Sequence, residues 1–243
     1  MKYLIIADIH SNLEAFQTVL DDANKMGGFE RVWCLGDVVG YGPDPAACIK
    51  MLQELKPVCI SGNHDLAALD KIDISDFNAD AARANRWTAD QLSDEDRAYL
   101  DDLPEVVWQG DFTLAHGSPR YPAWEYITNA WTATENFKHF STPYCLVGHT
   151  HVPFVFEQED ILVNEGYLGN GDMLVLGEKR LIVNPGGVGQ PRDRDPRASY
   201  AIYDSDERVI RHYRVEYPIG LTQEKMENAG LPDFLIGRLG WGI

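Results

Sequence analysis

A mixed α/β fold follows from three features of the chain. The first 65 residues alternate strand-like and helix-like runs. From Glu105 onward, short apolar runs of strand length dominate. Between them lies an acidic, alanine-rich stretch of helical character.

Each element has a local reason. Residues 2–7 are an apolar run that stops at Asp8. Ser11 or Asn12 can cap a helix reaching about Met26, with Leu13, Phe16, Val19, Leu20 and Ala23 on one face. Residues 31–35 read as a second strand ended by Gly36, 45–55 as a helix opened by a proline, and 57–61 as a third strand ended by Gly62. This β-α-β-α-β order implies parallel neighbours joined by right-handed crossovers. Residues 66–104 read as an inserted helical element, with Ser93 and Asp96 spaced as a cap. Two roles stay open for it, a lid over the site or a flank packed on a sheet. Strands then follow at 106–109, 112–115, 144–147, 154–157, 161–164, 173–176, 180–183, 199–203 and 209–214, with one helix near 132–139. A helix near 221–229 precedes a tail whose Phe234, Leu235, Leu239 and Trp241 predict docking on the body. With no repeat or linker, residues 1–243 read as one domain.

Composition narrows the function classes. With 243 residues, 44% hydrophobic and 24% charged, the chain can bury a core without disulfides. No run approaches the roughly 18 apolar residues of a membrane helix. The five-residue apolar stretch before Asp8 is too short for a signal-peptide core, so a cytoplasmic protein with no membrane partner is expected. Lys and Arg number 21 against 38 Asp and Glu, a net charge of −17. Such a field disfavours extended binding to duplex nucleic acid. Small phosphorylated substrates stay open, because a bound metal inverts the local field. Cys34, Cys48, Cys59 and Cys145 form no C-x-x-C pair. Cys34, Cys59 and Cys145 sit in apolar strand-like runs and read as buried thiols in a reducing compartment. Nothing in the sequence sets the oligomeric state.

The chemistry gathers where strand-like runs end in short polar motifs. These are Asp8-Ile-His10, Gly36-Asp37, Gly62-Asn63-His64-Asp65, His116-Gly117 and Gly148-His149-Thr150-His151. Strand C-terminal ends are where loops aim side chains into a common crevice. In an extended segment, Asp8 and His10 point the same way, as do His149 and His151. Asp37 can bridge two ions, and Asn63 offers a neutral oxygen. Nitrogen and oxygen donors without thiolate suit manganese, iron, zinc, nickel or cobalt. So many ligands exceed one tetrahedral zinc and suffice for two ions about 3.5–4 Å apart.

In this order the five motifs resemble the calcineurin-like metallophosphoesterases, and more narrowly the small prokaryotic phosphodiesterases among them. The turn Asn184-Pro185-Gly186 resembles the family as well. The resemblance implies a four-layer α-β-β-α sandwich, two mixed β-sheets flanked by helices. It implies a first metal on Asp8, His10, Asp37 and His151, and a second on Asp37, Asn63, His116 and His149. Manganese is the favoured metal. His64 would stay free of metal and face the phosphate as the catalytic acid or charge stabiliser. A hydroxide between the ions would attack phosphorus directly, with no phosphoenzyme.

One stretch departs from the family's better-known branches. Gly40 and Tyr41 stand where protein phosphatases carry an acid and an arginine, and the diadenosine-polyphosphate hydrolases also carry that arginine. Losing this grip weakens binding of a dianionic monoester more than of a monoanionic diester, so small or nucleotide-like diesters are the expected substrates. Protein phosphatase-like activity, diadenosine-polyphosphate hydrolysis and a non-catalytic metal-binding scaffold are the alternatives. Arg192, after a glycine-rich turn, reads either as a phosphate ligand or as a surface arginine. Arg194 and Arg197 read as partners of Asp193 and Asp195, and Tyr41 as a phosphate contact or strand-end packing. Trp87, Trp124 and Trp131 read as core or lid packing, with a base-stacking wall as the alternative. His139 is expected at a helix end and His212 on the surface.

Overall fold

The computed structural model describes residues 1–243. Asn12 caps the first helix by accepting from the Ala15 amide at 3.1 Å. The chain opens with β1 (Lys2–Ile6), α1 (Leu13–Lys25), β2 (Arg31–Cys34), α2 (Pro45–Glu54) and β3 (Val58–Cys59). Three helices follow, α3 (Asn63–Ala68), α4 (Ala79–Gln91) and α5 (Asp94–Asp101). Then come β4 (Val106–Gln109), β5 (Phe112–Ala115), α6 (Ala130–Asn136), β6 (Tyr144–Leu146), β7 (Phe154–Glu159), β8 (Leu162–Tyr167), β9 (Met173–Val175) and β10 (Arg180–Asn184). The chain closes with β11 (Ala198–Asp204), β12 (Val209–Val215), α7 (Ile219–Asn228) and α8 (Asp233–Trp241).

The strands form two six-stranded mixed sheets, ordered β3-β2-β1-β11-β12-β9 and β4-β5-β6-β10-β7-β8. β1, β2 and β3 are parallel, as are β5, β6 and β10. Strand alternation builds the layers. Ile5, Ala7, Trp33 and Leu35 point toward Phe112, Leu114, Leu146 and Val183 of the other sheet. Leu4, Ile6, Val32 and Cys34 point the other way, onto Phe16 and Val19 of α1 and Ile49 and Leu52 of α2. Cys145, Phe154, Phe156 and Ile182 cover the second sheet's outer face with Ala133 of α6 and Phe137 just beyond it. Helix, sheet, sheet, helix is therefore the layering, and the parallel strand ends of both sheets open onto one edge. No helix is long and apolar enough to cross a membrane.

Some local expectations change. α3 begins at Asn63 rather than near Leu66, because the Asp65 carboxylate turns back to accept from the Gly62 amide at 2.9 Å. In the 66–104 stretch, Ser93 and Asp96 do form a reciprocal cap. The apolar tail is helix α8, whose Leu235, Ile236 and Leu239 pack with Tyr41 and Met226. His139 lies exposed beyond the end of α6. His212 is not on the surface. It is 1% exposed, its Nδ1 donates to the Gly169 carbonyl at 2.9 Å, and its Nε2 lies 2.7 Å from Ser199 Oγ, whose hydroxyl donates to the Pro185 carbonyl. Its polar neighbours lie on the opposite face of β12, and that alternation hides it.

Candidate metal centre

The ends of five parallel strands turn inward at this edge. The turns are not extended. Asp8, His10, Asp37, His149 and His151 all have left-handed backbones, with φ of 55°, 49°, 53°, 65° and 59°. The pairs at i and i+2 therefore converge through tight left-handed turns and not through strand alternation. With Ser11 and Tyr41, this edge holds seven of the twelve non-glycine residues of positive φ. Each such residue costs roughly 1–3 kcal/mol, and residues of this kind cluster at functional sites.

The turns bring all seven expected ligand residues together, each no more than 3% exposed. Asp8, His10, Asp37 and His151 place one ligand atom each within 4.8 Å of one another, and so do Asp37, His116 and His149. His10 Nε2 lies 3.1 Å from His151 Nε2 and 3.5 Å from Asp37 Oδ2. His151 Nε2 is 3.4 Å from Asp8 Oδ1. On the other side of Asp37, His116 Nε2 lies 3.3 Å from Asp37 Oδ2, 3.1 Å from Asn63 Oδ1 and 3.2 Å from His149 Nδ1.

Backbone carbonyls set the tautomers. His10 Nδ1 donates to Val39 O, His116 Nδ1 to Leu35 O and His151 Nδ1 to Gln190 O, at 3.1, 2.7 and 2.6 Å. The neutral His10 and His151 rings then turn their Nε2 lone pairs toward carboxylate oxygens and each other, whereas His116 Nε2 carries a proton against the Asp37 carboxylate. Asp8 Oδ2, Asp37 Oδ2 and His149 Nε2 are buried without a hydrogen-bond partner. Lone pairs and carboxylates that converge in this way repel one another until a cation sits among them. Separations of 3.1–3.5 Å match neighbouring ligands bonded to an ion at about 2.0–2.2 Å. The donor set fits a divalent ion in each half.

Burial dominates the proton affinities. It pushes Asp8 up to about 7 and holds His10, His149 and His151 well below the ordinary histidine range. Burial also pulls His116 down, but the Asp37 carboxylate outweighs it and holds the imidazole at about 9. The same ion pair, helped by His64 and His10, keeps Asp37 well below the usual carboxylate range despite its burial.

His64 stands beside the cluster. It is 4% exposed, and its amide donates to Asp37 Oδ1 at 2.8 Å. Burial lowers it to about 4, with Asp37 opposing the shift. Gly40 lets the ring approach, since a Cβ there would lie 2.7 Å from His64 Nδ1. The side-chain partner missing at Gly40 comes from α4. Asn85, 1% exposed, donates through Nδ2 to the His64 carbonyl at 3.0 Å, and the same Nδ2 lies 3.3 Å from His64 Nδ1. The carbonyl fixes the amide's orientation, so His64 Nδ1 faces a donor and the ring proton belongs on Nε2. No sequence signal marks Asn85. Tyr41 meets the rings of His10 and His64 at 4.7 and 4.3 Å.

Arg192 is the arginine left for an anion. Its guanidinium lies 5.6 Å from the Tyr41 ring, binds Gln190 Oε1 at 2.8 Å and has no carboxylate partner. Its charge reaches Asp8, His10, His64, His149 and His151. The glycines before it serve the protein's own backbone. Gly189 packs against the Ile9 carbonyl, and the Val188 and Gly189 amides donate to Ala7 and Asp8 at 2.9 Å. Arg197 pairs with Asp195 at 2.6 Å, whereas Asp193 pairs with Arg214 and the Arg194 side chain is exposed. Trp131 is exposed and Trp87 packs near α8, but Trp124 lines a cavity beside His64.

Fold and site together define an α/β sandwich whose strand ends gather Asp and His side chains that could hold metal. The chain belongs to the calcineurin-like phosphoesterase superfamily, whose domain model matches residues 1–208. It is similar to a metallophosphoesterase from Sphaerobacter thermophilus, with a TM-score of 0.92 and 45% identity across 100% of this chain and 99% of that one. An uncharacterized protein of Methanocaldococcus jannaschii is 37% identical over 97% of this chain and 96% of its own length. A symmetrical bis(5'-nucleosyl)-tetraphosphatase of Glaesserella parasuis is 31% identical over 71 residues, 28% of this chain and 26% of that protein.

Proposed function

We propose that this chain hydrolyses small phosphate esters, diesters before monoesters. Asp8, His10, Asp37 and His151 would hold one divalent ion, and Asp37, Asn63, His116 and His149 a second, with manganese the first candidate. Such a pair supplies charge stabilisation and a hydroxide nucleophile near neutral pH. The observation that carries the reading is the meeting of the His10 and His151 Nε2 lone pairs at 3.1 Å beside two carboxylates. The chain's own groups do the rest. His64, neutral and protonated on Nε2, offers a hydrogen to the phosphoryl or leaving oxygen. Asn85 holds that ring in place and Arg192 attracts the phosphate. The left-handed turns keep the donors fixed before substrate arrives.

The absence of an acid–arginine pair beside His64, with Arg192 and Arg238 set back around Tyr41 and Tyr126, suits a singly charged diester. The partial similarity to a bis(5'-nucleosyl)-tetraphosphatase favours hydrolysis of dinucleoside polyphosphates as the second reading.

The test is a kinetic panel with manganese supplied, comparing a bis-aryl diester, an aryl monoester and a dinucleoside polyphosphate, each with wild type and His64→Ala. Metal-dependent turnover led by the diester is expected. Turnover led by the polyphosphate would establish the second reading. No turnover of any ester, with two ions measured per chain, would leave a metal-binding scaffold.

A further inference from the structure

His64 is a partition. On one side its ring meets that of His10 at 5.0 Å, nearly perpendicular, and on the other it meets Phe77 at 4.8 Å. Around Phe77 lies a cavity of about 280 Å³, walled by Tyr41, Phe77, Trp124 and Tyr126. Phe77 and Trp124 meet edge to face at 5.6 Å. Trp124 and Tyr126 remain 39% and 48% exposed. Large aromatic faces left open beside a reactive site are surface that a ligand would cover.

The polar lining is specific in sign. No lysine or arginine lines this cavity, and its charged rim residue is Asp76. Asn78 already spends its side-chain oxygen on the Ala81 amide at 2.9 Å, which leaves its NH₂ group and the Asp76 carboxylate to read a ligand. Aromatic walls take a flat ring. A carboxylate accepts from ring N–H or amino groups and repels phosphate.

We infer that the cavity beside His64 is a subsite for an uncharged nucleoside carried on the leaving arm of the ester. The inference rests on the phosphoesterase reading and narrows it. Water adds across the P–O bond on the His64 side: hydroxide joins phosphorus, that bond breaks, and the departing nucleoside oxygen, hydrogen-bonded by His64 Nε2, takes its proton from solvent. The products are a free nucleoside and a phosphomonoester. A leaving arm that carries its own phosphates, as in a dinucleoside polyphosphate, would meet Asp76.

The experiment uses the full-length, manganese-loaded protein, with adenosine and adenosine 5'-monophosphate as probes. Binding is read by tryptophan fluorescence and calorimetry, and competition by hydrolysis of a bis-aryl diester. Adenosine should bind and compete with the diester, and adenosine 5'-monophosphate, whose phosphate also reaches the metal residues and Arg192, should bind more tightly. Trp124→Ala should weaken adenosine binding about five- to hundredfold, and Trp124→Phe should restore most of it. Asp76→Ala should weaken adenosine binding. A diester that is hydrolysed while adenosine neither binds nor competes overturns the subsite and leaves the phosphoesterase standing. Equal adenosine affinity in wild type and Trp124→Ala also overturns it. Adenosine binding without turnover of any ester supports the cavity assignment and removes the hydrolytic reading.

Discussion

His10 Nε2 and His151 Nε2 face each other at 3.1 Å, and each ring's other nitrogen is committed to a backbone carbonyl. Neither nitrogen has a hydrogen to give the other. The pair is therefore two lone pairs brought face to face and not a hydrogen bond.

Asp37 is shared by both halves of the cluster. Asp37→Ala should abolish activity and paired metal binding, with no more than one ion left per chain by elemental analysis. Two ions at full occupancy in that variant would rule out a bridging role.

His64 touches none of the lone pairs that gather around Asp37. His64→Ala should retain both ions and lose about 10²–10⁴ in rate. Asn85→Leu should lower kcat about tenfold or more with little change in KM, because a misaimed ring loses orientation and not ground-state binding. Unchanged kcat would reduce Asn85 to packing.

Arg192 has no carboxylate to neutralise it. Arg192→Ala should raise KM for phosphate esters by roughly tenfold or more, from a charged hydrogen bond worth about 1.5–3 kcal/mol. Arg197→Ala is the control, since Arg197 is held by Asp195. Equal effects at the two positions would return Arg192 to the surface.

Metal binding should be proton-linked. In the metal-free protein the Asp37 carboxylate, against the effect of burial, holds His116 at about 9, so an ion must displace that proton. Affinity should then rise with pH up to about 9, with protons released on binding, as calorimetry in buffers of different ionisation heat would show. A pH-independent affinity would contradict the assignment.

Burial keeps His212 below the ordinary histidine value in the folded protein. As pH falls through about 6.5, the unfolded chain takes up a proton that the folded chain refuses. Stability is therefore fullest above that value and declines as pH drops toward the folded value. His212→Gln should flatten part of this slope in urea unfolding between pH 7.5 and 5.5, and an identical slope would exclude it.

What the sequence showed and hid follows from distance along the chain. Asp8-Ile-His10 and His149-Thr150-His151 are contiguous, and each ends an apolar run, so both ligands and strands were legible. The left-handed turns were not, because aspartate and histidine in a polar motif give no sign of positive φ. Asn85 stands 21 residues from the ring it holds, inside a helical stretch whose sequence leaves open whether it is a lid or a flank. Phe77 and Trp124 come from separate segments and become one wall only after the helices of residues 66–104 fold down. The layered sandwich was expected only from the resemblance of the motifs, because an apolar run at 2–7 does not show which side chains face which layer.

The seven left-handed residues at the strand ends set stability against activity. Glycine would occupy those turns with less strain, and Asp8→Gly would also remove a carboxylate buried without enough partners. Such a variant would tolerate heat or urea better and lose the ion assigned to Asp8, His10, Asp37 and His151. A selection scheme that rewards thermostability alone would therefore remove this site one turn at a time, so improved variants of this scaffold have to be screened for bound metal as well as for melting temperature.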